Sequence, residues 1–202
     1  DLKYVDLNGD GTINDEDCTF IGNPWPKVQY GFNIALGYRG IDLTLDFAGV
    51  AGNDVMNLAK SFTQAVQQDY QTAAEAFRAS YFMGNGLTDR PRIMAIDTAN
   101  GNVPVNDPNL NYKRYSDYFI EDGSYLKLKT VTLGYTFPRK LTRKIGIRKL
   151  RVYVSGSNLL TFTKFTGLDP EYAASSKTAA GVYYFSTYPQ TKLVSFGLDI
   201  NF

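Results

Sequence analysis

The sequence predicts an all-β chain: an antiparallel fragment of a transmembrane β-barrel, about five strands wide, with long and partly helical extracellular loops. Three observations predict it. Stretches of about ten residues alternate apolar and polar positions, the period of a strand with two unlike faces and a length sufficient to cross a bilayer as a tilted strand. Aromatic residues make up 14% of the chain, with 15 Tyr and 13 Phe, and they gather near the ends of the apolar faces, as interfacial girdles do. The connections between alternating stretches are short, long, moderate and long, so every long insertion falls at one end of the sheet. An aromatic-rich, calcium-dependent β-sandwich acting as a binding module accounts for the first two observations, but gives no reason for the third.

Composition narrows the function classes. The 202 residues carry 21 Lys and Arg against 20 Asp and Glu, so net charge points to neither nucleic acid nor an anionic partner. A single cysteine, Cys18, excludes an internal disulfide, and the absence of His removes the commonest general base and metal ligand. With no placed nucleophile or carboxylate pair, the chain reads as a non-enzyme. No apolar run of about eighteen residues predicts a transmembrane helix, and no leader pattern opens the chain, as expected of a mature protein or a piece of a longer one.

Residues 6–17 read D-L-N-G-D-G-T-I-N-D-E-D, the spacing of an EF-hand-like calcium loop within a segment spanning 1–20. Asp6, Asn8 and Asp10 stand where short oxygen-bearing side chains converge, Gly11 where the loop turns, and Thr12 where a backbone carbonyl ligates. Asn14 is placed to ligate through water, and Asp17 replaces the usual bidentate Glu. The alternative is a solvated Asx-rich turn. A bound calcium here would be structural, locking the loop.

The prolines of I-G-N-P-W-P-K at 21–27 forbid helix and extend the chain; Trp25 suits a membrane interface or a sugar stack. From Val28 to Tyr38, Val28, Tyr30, Phe32, Ile34, Leu36 and Tyr38 share one face. After a turn at Arg39-Gly40, Ile41, Leu43, Leu45 and Phe47 continue it, opposite Asp42, Thr44, Asp46 and Ala48. Alternation stops from Gly49 to Gly123, and 51–123 is expected to be an extracellular loop. There Asp54 is placed to cap a helix carrying Val55, Leu58, Phe62, Ala65 and Val66, with a second helical piece over 72–81. Such a long insertion is usually functional.

Tyr125 to Phe137 resumes the pattern with Val131, Leu133, Tyr135 and Phe137 on one side. Lys127 and Lys129 share that parity, which under the barrel reading puts them beyond the hydrocarbon. Pro138 and a basic connection lead to a strand over 150–163, where Leu150, Val152 and Val154 oppose Arg151, Tyr153 and Ser155. After a Tyr-rich connection over 164–190 comes L-V-S-F-G-L-D-I-N-F, with Val194, Phe196, Leu198, Ile200 and Phe202 on one parity.

These stretches resemble a known family, the SusC/RagA-type TonB-dependent transporters of the Bacteroidetes outer membrane. The resemblance rests on D-L-N-G-D-G-T-I-N-D-E-D, I-G-N-P-W-P-K-V-Q-Y-G-F-N, G-N-D at 52–54, I-E-D-G-S-Y-L-K-L-K-T-V-T-L-G-Y, L-R-V-Y-V-S-G-S-N-L-L-T-F-T-K, G-L-D-P-E, Y-P-Q-T-K and the terminal strand, in family order. Only 55–111 and 172–187 fall outside it. The resemblance implies the C-terminal part of a plugged 22-stranded barrel that imports glycan oligomers or peptides, powered by the inner-membrane proton gradient through TonB, which engages an N-terminal part of the protein outside this segment. It implies a SusD-like lipoprotein lid over the mouth and outer-membrane lipid around the wall. Within it, the loop aromatics Tyr112, Tyr115, Tyr118, Tyr183, Tyr184 and Phe185 are candidates for contact with substrate or lid, packing within the loops being the alternative. Phe202 resembles the terminal signal read by the outer-membrane insertion machinery. Asp42, Asp46, Arg151 and Asp199 are expected to face the lumen.

Overall fold

The computed structural model describes residues 2–64, 90–91, 94–97, 99–101, 103–107, 109–171, 180–184 and 188–202. Its strands are β1 (Val28–Tyr38), β2 (Ile41–Ala51), β3 (Asp54–Asn57), β4 (Met94–Asp97), β5 (Val103–Asn106), β6 (Ile120–Asp122), β7 (Tyr125–Thr136), β8 (Lys149–Thr163), β9 (Val182–Tyr183) and β10 (Leu193–Asn201). They fall into two compact units.

The first unit (Pro24–Asp54, Glu121–Ala173 and Thr187–Phe202) holds a five-stranded antiparallel sheet in the order β1-β2-β7-β8-β10. Register follows the hydrophobic pattern. Ile34 opposes Leu45, Leu45 opposes Val131, Leu133 opposes Val154, and Val154 opposes Phe196. A slip by one residue would turn every side chain to the wrong face. The β1–β2 turn has positive φ at Arg39 (47°) and Gly40 (90°), the backbone of the tight hairpin turn whose twist matches its strands. A Cβ on Gly40 would lie 2.7 Å from the Thr136 carbonyl oxygen, so the strand beside the turn also demands glycine. Thr136 donates its amide to the Gly40 carbonyl at 2.7 Å.

Between Leu128 and Thr130 the register shifts against both neighbours. Lys129 is the extra residue on β7, and Asn158, at φ 54°, lies in the matching irregular stretch of β8. A bulge reverses side-chain parity, so Leu128 opposes Phe47 and Leu160 on the apolar side. Lys127 moves to the polar side, opposite Ala48 and Thr161. The expectation that Lys127 shares a face with Val131 is corrected by this bulge, which strict period-2 counting does not register.

The apolar face of the sheet is uncovered: Phe32 is 47% exposed, Leu133 47% and Phe196 85%. A barrel wall presents such a face to lipid, whereas a sandwich would bury it in its core. Phe32 and Phe47 stack with centroids 4.7 Å apart. Tyr135 and Phe137 meet edge to face near the other end, at 5.0 Å.

The second unit (Asp1–Asn23, Val55–Ile120 and Ala174–Ser186) is irregular and yet holds the buried core. Leu58, Tyr112 and Phe119 cluster there, with Met56, Tyr118 and Val182 against them; Val55 and Tyr183 are also buried. The helix expected from Asp54 onward is corrected. Asp54–Asn57 is a strand, Met56 pairing in parallel with Val182. The Met56 amide donates to the Gly181 carbonyl at 2.8 Å and the Leu58 amide to that of Tyr183 at 3.0 Å. These ladder bonds use the amides that a helix would direct inward, so helix begins only at Ala59–Thr63, without a side-chain cap. Ala65, Val66 and the helical piece expected over 72–81 lie outside the described residues.

Candidate functional site

The polar face of the sheet is built by the same alternation that exposes the apolar one. Asp42 lies on β2, Arg151 on β8 and Asp199 on β10. The Arg151 guanidinium donates from Nε to Asp42 Oδ1 at 3.0 Å, from Nη2 to Asp42 Oδ2 at 2.5 Å, and from Nη1 to Asp199 Oδ2 at 3.2 Å. To reach β2 it must cross β7, and the crossing point is Gly134. A Cβ there would lie 2.5 Å from Arg151 Nη2 and 2.6 Å from Asp42 Oδ2. The planar fork suits such bidentate bridging. Arg151 also stacks on the Tyr153 ring at 4.8 Å, and that ring covers Gly197, where a Cβ would fall 2.0 Å from it. Farther along the face Asn33 donates to Asp46 at 2.5 Å, and Thr132 and Ser155 share a hydrogen bond at 3.1 Å. All four residues expected to face the lumen thus lie on one polar face.

A rim network joins the same sheet to its long connections. Gly123 donates its amide to the Asn53 carbonyl at 2.9 Å, and the Gly52 amide bonds Ser124 Oγ at 3.0 Å. Thr166 donates its amide and its hydroxyl to the two Glu121 carboxylate oxygens, both at 2.7 Å. Lys127 Nζ, its side chain 2% exposed, bonds Asp169 Oδ1 at 2.9 Å and Glu171 Oε2 at 3.1 Å. Lys129 Nζ reaches Glu171 Oε2 at 2.7 Å. The amides of Gln190 and Glu171 complete Asp169 at 3.0 and 2.9 Å. Burial alone would raise the Asp169 carboxyl, but the Lys127 hydrogen bond and these amides outweigh it and hold it below the ordinary range. For Glu171, burial is likewise outweighed by Lys129 and Lys127.

Sequence reasoning did not single out this clamp, although its signal was present. It joins Y-L-K-L-K, G-L-D-P-E and Y-P-Q-T-K, three stretches far apart in the chain.

In the N-terminal loop, Asp6 Oδ1 and Oδ2 accept the amides of Gly9 (2.6 Å) and Gly11 (2.8 Å), and Asp10 Oδ1 accepts that of Thr12 (2.7 Å). Asp17 takes the amides of Leu7 (2.7 Å) and Asn14 (2.9 Å). The hydrogen bonds from Asn14 and then Leu7 hold its carboxyl below the usual range. Asn8 Nδ2 donates to Asp10 at 3.1 Å and to Glu16 at 3.0 Å. The oxygen-rich donor set suits a hard cation, while hydrogen bonds close the loop and among the described residues no three acidic side chains converge as a metal cluster.

Of the loop aromatics, Tyr112 and Tyr183 are buried. Tyr112 donates its hydroxyl to the Pro91 carbonyl at 3.0 Å and meets Tyr118 edge to face at 6.0 Å. Tyr112 belongs to the loop core, Tyr118 packs against it, and Tyr183 is buried on β9. Tyr115, 71% exposed, and Tyr184, 42% exposed, present their rings to solvent. Phe185 lies outside the described residues. Phe202 is exposed at the end of β10.

An antiparallel sheet with one exposed apolar face and one hydrogen-bonded polar face has the two-sided build of a membrane β-barrel wall. Comparison with known proteins agrees. The chain is 33% identical over 207 residues to TonB-dependent receptor P3 of Formosa agariphila, covering 98% of the chain and 19% of that protein. It is 26% identical over 201 residues to TonB-dependent receptor SusC of Bacteroides thetaiotaomicron, covering 98% of the chain and 17% of SusC. Among solved structures, the RagAB peptide importer in its open-open state matches 88% of this chain and 17% of that one at 27% identity, with a TM-score of 0.63. No protein-family model matches. The chain belongs with the TonB-dependent receptors of the SusC and RagA type, and spans about a fifth of the length of the curated relatives.

Proposed function

We propose that this chain forms the C-terminal wall and the last long extracellular loops of a TonB-dependent outer-membrane importer. The importer takes up glycan oligomers or peptides together with a SusD-like surface lipoprotein, and does no covalent chemistry on its cargo. The observation that carries the reading is the inversion of apolar surface: the regular strands expose theirs, while the irregular loops bury a core. In this arrangement 1–202 is one barrel segment, with the loop at 1–20 and the insertions at 51–123 and 164–190 on the extracellular side. The 139–149 connection and Phe202 lie at the periplasmic end, and Phe202 acts as the assembly signal. Tyr115 and Tyr184 are the aromatics free to meet substrate or lid, and calcium on Asp6, Asn8, Asp10, Thr12 and Asp17, with Asn14 through water, stiffens the N-terminal loop.

The test is performed on the full-length receptor in its native cell. A photo-crosslinker at Tyr115 is expected to capture a surface lipoprotein, and deletion of the receptor to abolish growth on one class of oligomer. Growth unchanged on every glycan and peptide that the wild type uses would refute the importer reading.

A further inference from the structure

Six of the chain's 21 Lys and Arg residues fall within 139–149, R-K-L-T-R-K-I-G-I-R-K, where there is no Asp or Glu. The run folds as a helical turn at Arg139–Thr142 and a 3-10 turn at Arg143–Ile145, ended by Gly146 at φ 75°. Arg139, Lys140, Arg143, Lys144, Arg148 and Lys149 are all exposed. Leu141 and Ile145, 59% and 68% exposed, stand between the charges. The connection is tied to the sheet end, since Phe137 donates its amide to the Leu150 carbonyl at 2.9 Å and Arg148 to that of Asn201 at 2.8 Å. The sheet's apolar face begins directly above it. There a shallow concavity of about 470 Å³ is lined by Ile41, Leu133, Tyr135, Val152, Val154 and Phe196. Cations beside exposed aliphatic side chains, continuous with an apolar trough, match the two halves of an anionic lipid: a phosphate headgroup at the interface and a hydrocarbon tail above it.

We propose that the 139–149 connection is a binding surface for anionic phospholipid of the periplasmic leaflet, with an acyl chain of that lipid lying in the trough. The proposal rests on the barrel reading and its orientation. Its charge placement is independent of cargo: at the opposite end of the sheet Lys127 and Lys129 are consumed by Asp169 and Glu171, whereas the six cations here form no ion pair among those the described residues show.

The test uses the full-length receptor reconstituted in vesicles with spin-labelled phosphatidylglycerol or phosphatidylcholine, comparing their association with the protein. Phosphatidylglycerol is expected to be preferred by at least fivefold, roughly the share of one interfacial cation, and the preference to fall at 1 M salt. The variant Arg139→Gln/Lys140→Gln/Arg143→Gln/Lys144→Gln is expected to lose it, and Arg139→Lys/Arg143→Lys to keep it. Equal association of the two lipids with the wild type overturns the proposal without reference to any variant, as does a quadruple variant that folds and keeps the preference. A heat-dependent gel shift of the same preparations separates the two readings. A shifting barrel without lipid preference refutes this inference alone, and a wild type that does not shift refutes the barrel and the inference with it.

Discussion

Replacing Lys127 by Met should release the 164–192 connection from the wall. In the wild type the Lys127 ammonium lies 2.9 Å from Asp169 and 3.1 Å from Glu171, and the Lys127 and Asp169 side chains are 2% and 8% exposed. Met keeps the length of the stem and removes the charge, leaving Asp169 with the Gln190 and Glu171 amides but no cation. Breaking a buried pair from one side costs about 3–5 kcal/mol. The lower end applies here, because both amides remain and Lys129 still neutralises Glu171. The control is Lys129→Met, whose ion pair is 30% exposed on both sides and so contributes about 0–1 kcal/mol. Hydrogen exchange on the full-length receptor in detergent reads the difference. A loss of about 3 kcal/mol of local opening energy accelerates exchange of the Glu171 and Gln190 amides roughly a hundredfold, against about fivefold or less for the control. Adding Asp169→Leu to Lys127→Met should return most of the protection. Equal effects of the two single substitutions would refute the clamp. The pH dependence has a definite sign. Asp169 and Glu171 are depressed in the folded state, so their contribution is complete above the ordinary carboxylate range and lost as pH falls through the lowered folded values. Acid should therefore loosen the wild-type connection, and Lys127→Met should lose the share that Lys127 confers on Asp169 while keeping the share that Lys129 confers on Glu171.

Four further outcomes test the wall and the loop. Leu133→Arg puts a charge on the apolar face at a cost of about 2–4 kcal/mol near the bilayer midplane, and should abolish the heat-dependent gel shift, whereas Thr132→Arg on the polar face should retain it. Gly134→Val drives a side chain into Arg151 and Asp42, and should lower the urea midpoint of the refolded receptor by more than Arg151→Gln does; a smaller effect would mean that the guanidinium does not need that crossing. Single cysteines replacing Leu198 and Asp199 should differ in labelling by a lipid-phase reagent, since Leu198 opposes Val152 and Asp199 opposes Arg151; labelling of both would sink the assigned faces. Removing calcium with a chelator should speed proteolysis within 1–20, and Asp6→Ala should abolish that response; a chelator-insensitive digest would leave the loop to its hydrogen bonds alone.

The strands were legible because period-2 alternation is imposed by the backbone and needs no knowledge of neighbours. Val28–Tyr38 and Ile41–Ala51 therefore emerge close to the bounds that the pattern predicts. What was not legible depends on partners distant in sequence. Val55 and Leu58 have helical spacing, yet Gly181 and Tyr183 supply ladder bonds to Met56 and Leu58, and tertiary pairing overrode the local pattern. Lys127 reads as an outward residue until the bulge at Lys129 is known, and only Asp169 and Glu171, some 42 residues on, explain why a buried cation is tolerated. For the loop aromatics, composition identified residues able to stack on a ligand but not those consumed by the loop core. Tyr112 and Tyr115 are three positions apart and end in opposite environments.

The loops carry their own buried core, centred on Phe119, at 0% exposed, and that frees them from the wall in an evolutionary sense. Substitutions at exposed described residues beside that cluster, such as Tyr115, act on a body whose packing is set by Leu58, Tyr112 and Phe119. They leave untouched the alternation on which insertion into a membrane depends. Exposed loop residues can thus vary without renegotiating the strand pattern.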